Sequence, residues 1–176
     1  MDKLNKFSKS LLFLFVISGT IWLGSYITRL SVFYNLFQPE GFILKEFVTN
    51  LNISGIFSTL IAAISINLIF YILMVLSFIL FVITAKLKIR ENGWLFISIV
   101  LIISCLPFEI YLMIIDYQII NDVWSGNFDS NKVLSLVIKR FTVLSSFSIV
   151  EILSFFTVIF LFMFQPLKGI KRKLVE

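Results

Sequence analysis

Polar residues are so sparse along this chain that four apolar runs stand clear of them, at about 10–37, 53–85, 94–120 and 141–165. Each is longer than the roughly 20 residues an α-helix needs to cross a bilayer core. Runs of this length tilt or project beyond the hydrocarbon. The pattern predicts an all-α fold: an integral membrane four-helix bundle with four transmembrane spans, forming a single domain over residues 1–176. The first run follows the basic flank "MDKLNKFSK", as a secretory signal would. It is too long for a signal core and no small-x-small site closes it, so it reads as an uncleaved anchor helix.

Two loops retain apolar periodicity. In "GFILKEFVTNL", Ile43, Leu44, Phe47, Val48 and Leu51 recur at helical spacing. This suits either a short amphipathic interfacial helix or an outward extension of the second span. In "NDVWSGNFDSNKVLSLVIKR", Ser125, Gly126 and Asn127 form a turn signal, and Asp129 or Ser130 is placed to cap a helix leading into the fourth span. The aspartates of this loop lack the spacing of a calcium-binding EF-hand. Small residues mark candidate packing faces: Gly55, Ser58, Thr59, Ala62 and Ala63 on the second span, Gly19 and Gly24 on the first. Trp94 and Trp124 fall where belt tryptophans are expected at the two interfaces.

Composition agrees with the pattern. The chain is 59% hydrophobic and 14% charged, with 21 Phe, whereas a soluble domain carries about a quarter charged residues. The apolar excess implies lipid contact. The net charge of +5 sits beside the spans, where lipid headgroups account for it and nucleic acid is not required. Of the 15 Lys and Arg residues, ten flank one side (Lys3, Lys6, Lys9; Lys86, Lys88, Arg90; Lys168, Lys171, Arg172, Lys173). Four lie on the other (Lys45, Lys132, Lys139, Arg140), and Arg29 remains within the first run. By the positive-inside tendency both termini are expected in the cytoplasm, and a bacterial inner membrane is the expected location.

Several chemistries have no support. There is no histidine and only one cysteine, Cys105, which leaves no imidazole ligand or base and no disulfide. No nucleotide loop, nucleophile elbow or zinc-protease motif is present. Neither a cofactor nor a metal site is expected, and the chain is not expected to be an enzyme.

The informative residues are polar and lie inside the runs. At 1.5 Å per residue, Glu109 lies about 22 Å from the Trp94 end and Glu151 about 21 Å from Gln165. Asn67 and Arg29 lie a turn further, at about 27 and 28 Å, while Asp116, at about 33 Å, is placed as an interfacial acid. An acid at the bilayer centre turns inward, takes a proton or finds a partner. Three arrangements fit Arg29, Asn67, Glu109 and Glu151: a structural cluster pinning the helices, a proton or cation carrier using the glutamates, or acids completed by a partner chain. Alternatively, Arg29 snorkels to the headgroups and belongs to no cluster. Pro107 is a candidate kink just before Glu109.

The expected function is a non-catalytic accessory or assembly component acting through helix packing. The alternative is a proton- or cation-coupled translocator, working as an oligomer. The expected partners are the lipid bilayer and either another membrane protein or further copies of the chain.

Overall fold

The structure, a computed structural model, describes residues 5–49, 51–124 and 128–167. Among these residues five helices follow one another: α1 (Lys6–Leu36), α2 (Ile53–Ala85), α3 (Gly93–Trp124), α4 (Ser130–Thr142) and α5 (Phe147–Phe164), with one 3-10 turn at Ile89–Glu91. Four of them, α1, α2, α3 and α5, are long and apolar enough to cross a membrane. They form the expected all-helical bundle, and the chain is an integral membrane protein.

Local chemistry sets the ends. The Asn5 carboxamide oxygen accepts from the Ser8 amide at 2.7 Å, so α1 starts four residues before the apolar run. Left-handed residues stop two helices: Lys86 (φ 48°) after α2 and Gln165 (φ 45°) after α5, with Pro166 following. One end of the bundle gathers the start of α1, the end of α2, the start of α3 and the end of α5. Ser8 Oγ meets Thr84 Oγ1 at 3.2 Å there, and the Gly93 amide donates to the Leu167 carbonyl at 3.2 Å. The opposite end carries the α1–α2 loop and α4.

Among its described residues that loop forms neither of the expected arrangements, a surface helix or an outward extension of α2. The Gln38 amide donates to the Ile43 carbonyl (2.8 Å) and the Lys45 amide to the Leu36 carbonyl (2.9 Å), folding the chain back through Gly41 at φ 84°. Phe47 and Leu51 stay exposed. The fold-back takes up the Ile43 carbonyl, which a helix through 43–51 would need for its own first bond.

The fourth run is also not one helix. Asp129 caps α4, accepting from the Asn131 and Lys132 amides at 3.0 and 3.3 Å. The helix then stops at Thr142, and residues 143–146 form a break with Leu144 at φ 59° before α5 begins. The turn at Ser125–Asn127 and the basic residues Lys3, Lys168, Lys171, Arg172 and Lys173 lie outside the described residues.

Two apolar cores stack along the bundle. At the end where α1 starts, Phe15, Trp22, Phe78, Phe81, Trp94, Phe155 and Phe162 interlock, with Trp94 5.3 Å from Phe162 between ring centroids. Trp94 is therefore a buried core residue, not a belt residue, and its indole N–H donates to Asn92. At the loop end, Phe33, Phe57, Ile115, Ile119, Val133 and Val137 form the second core. Gly19 lets α1 approach Phe155 of α5 and Met74 of α2. The small face of α2 does not pack as expected: Gly55, Ser58, Thr59 and Ala62 point outward, and Ile53, Phe57, Leu60 and Ile64 face the core instead.

Candidate functional site

Between the two cores lies a layer of buried charge. Arg29 comes from the last third of α1, Glu109 and Asp116 from α3, Arg140 from the last turn of α4 and Glu151 from the first turn and a half of α5. All five are at most 5% exposed. Asp116 is the hub. Its Oδ2 accepts from Arg29 Nη1 at 2.7 Å and from Arg140 Nε at 3.3 Å. Arg29 also stacks over the Tyr26 ring, 5.0 Å from its centroid, which adds attraction for a cation shielded from water. The Tyr26 hydroxyl in turn donates to Ser148 Oγ, linking α1 to α5.

The expected interfacial position of Asp116 is corrected here. It is 2% exposed and clamped by two guanidiniums. The reading in which Arg29 snorkels away from the cluster is corrected as well, since the side chain turns inward. Burial of an acid this deep is tolerable because two charge-assisted partners replace its water.

The two glutamates are placed differently. Both are buried at the seam where α3 packs against α5, and among the described residues neither carboxyl has a hydrogen-bond partner. Arg140 Nη2 approaches Glu109 Oε2 only to 3.8 Å, an ion pair without a hydrogen bond. Three buried carboxyl groups, Glu109, Asp116 and Glu151, thus share one layer with two buried guanidiniums, Arg29 and Arg140. One turn nearer the aromatic core, Cys105 Sγ lies 3.6 Å from Ser154 Oγ, giving the same seam a second polar rung.

Asn67 belongs elsewhere. Its Nδ2 donates to the Trp22 carbonyl and to Ser25 Oγ, both at 3.3 Å, fastening α2 to α1. The four residues singled out from the sequence are thus split: Arg29, Glu109 and Glu151 share one charged layer, while Asn67 makes a separate clasp. Pro107 lies on the exposed face of α3, which runs through it uninterrupted.

Arg140 is the residue the sequence reading missed, having been counted among loop charges. A signal exists: Val133, Val137 and Arg140 fall at i, i+4 and i+7, and all three are buried on one face of α4. An ion pair between Lys132 Nζ and Asp122 Oδ1 (2.8 Å) straps α4 back on α3, antiparallel to it, so the last turn descends to Asp116. No protein-family model matches this chain, and no curated protein or solved structure matches it either.

Proposed function

We propose that this protein is a non-catalytic accessory or assembly component of a membrane, held in shape by its own ionic layer and associating through the outer face of α2. The observation that carries this reading is the position of Gly55, Ser58, Thr59 and Ala62. Small residues at this spacing let transmembrane helices approach closely, yet here they face away from the bundle. A side chain added at Gly55 meets nothing within 4 Å in the chain itself. Affinity purification in mild detergent, with stoichiometry read by mass spectrometry, tests the proposal. A partner or second copy at fixed ratio is expected, lost in Gly55→Leu with unchanged thermal stability. A monomer alone overturns it.

A second reading has its own support. The Glu109–Glu151 pair lies beside the helix break at 143–146, and interrupted membrane helices are where transporters hold ions. If the protein is a proton- or cation-coupled translocator, Glu109→Gln or Glu151→Gln abolishes pH-driven flux in proteoliposomes. Unchanged flux excludes it.

The placement of Lys and Arg supports termini on the cytoplasmic side. Cysteines introduced at Asn5 and Glu40, both exposed, test this in a Cys105→Ser background. An impermeant reagent applied to intact cells is expected to label position 40 and not position 5. The reverse overturns the orientation.

A further inference from the structure

A cleft of about 670 Å³ opens between the last third of α1, the α1–α2 loop and the break joining α4 to α5. Its wall carries three cations, Arg29, Arg140 and Lys45, and no acid among the described lining residues. Asp116 and Glu109 stand outside that lining, partnering the two arginines. Arg140 is 5% exposed, and its Nη2 has no hydrogen-bond acceptor. The remaining wall is mainly apolar, including Phe33, Leu144 and Ile149, with Ser145 at the break. The Ser146 cap of α5 makes no side-chain hydrogen bond, which leaves the positive end of that helix dipole uncompensated by a cap. α1 and α5 meet closely nearer the aromatic core, through Phe15 and Trp22 against Phe155, whereas Tyr34 and Ile149 beside the cleft are 80% and 63% exposed. The cleft is therefore open sideways, toward acyl chains.

We propose that this cleft is a binding site for one anionic phospholipid, its phosphate held by Lys45, Arg140 and Arg29 and a tail leaving between α1 and α5. Basic pockets between membrane helices take anionic headgroups. A volume of about 670 Å³ is that of a small-molecule site. A bare phosphate would leave the apolar wall empty, whereas an amphiphile fills both parts.

The test uses the full chain, delipidated in nonionic detergent and titrated by native mass spectrometry. The probes are phosphatidylglycerol, phosphatidylcholine of the same chains, and glycerol phosphate. One phosphatidylglycerol is expected to bind about tenfold more tightly than phosphatidylcholine. Arg140→Gln disturbs the ionic layer, so Lys45→Gln, which lies outside it, is the deciding variant. It is expected to weaken phosphatidylglycerol binding about fivefold, and Ser145→Phe to block it. Equal affinity for the two lipids, or no effect of either variant, overturns the proposal. Displacement of the lipid by glycerol phosphate at equal concentration also overturns it, because the site would then recognise a free phosphate.

Discussion

Asp116→Asn is expected to cost about 3–5 kcal/mol, the largest loss expected from a substitution discussed here. Among the described residues the aspartate is the sole hydrogen-bonded acid for Arg29 and for Arg140. Asparagine keeps the shape but leaves two buried guanidiniums facing a neutral amide. Arg140 would retain only Glu109 at 3.8 Å, and Arg29 only the Tyr26 ring. Reversible unfolding in mixed micelles or bicelles measures the loss. Arg29→Gln combined with Asp116→Asn should then cost less than the two separate losses summed, by about 0.5–3 kcal/mol. Strict additivity would show that the two groups do not depend on each other. Glu151→Gln provides the contrast: Glu151 makes no hydrogen bond or ion pair among the described residues, and Glu109 and Asp116 still face the two guanidiniums without it, so stability should stay within about 1 kcal/mol of the parent.

Gly19→Ala is expected to destabilise by about 1–3 kcal/mol, a large effect for one methyl group. A Cβ at this position would stand 2.1 Å from Phe155 Cε2 and 2.5 Å from Cζ, with Met74 Sδ at 3.0 Å. The Phe155 ring has little room to yield, because Phe15 and Trp22 pack against it at centroid distances of 5.9 and 6.0 Å. Phe155→Leu in the same chain should recover part of the loss by vacating the space. Thermal unfolding of the single and double variants decides the point. A neutral Gly19→Ala would mean that α1 and α5 do not meet so closely.

The spans were legible because lipid imposes a simple demand: long apolar runs, whose bulky residues show in sequence. The bounds of α2 follow directly from its run, and α1 and α3 differ by a few polar residues that the apolar run leaves out. The break after Thr142 was not legible. Val143, Leu144, Ser145 and Ser146 include neither Gly nor Pro, and Leu144 adopts a left-handed conformation that a branched side chain disfavours. Only packing of α4 on α3 explains it. The charged layer was half legible. Counting rise from the end of each run placed Glu109 and Glu151 at one level, and the structure buries both in the same charged layer. The same counting placed Asp116 at the water interface, because it cannot show that α4 folds down and brings Arg140 beside it. Rotation of each helix about its axis is equally absent from a depth count. That is why Asn67, at a similar level, turns to Trp22 rather than to the charges.

The separation of Arg29 from its acid, 87 residues along the chain, has a consequence for how the protein is made. Arg29 leaves the ribosome first, and at about 5–20 residues per second its counterion follows roughly 4–17 s later. Arg140 lies 24 residues further on. The ionic layer can therefore close only after both α3 and α4 have been made, so a chain stopped before Asp116 carries Arg29 without the acid that clamps it.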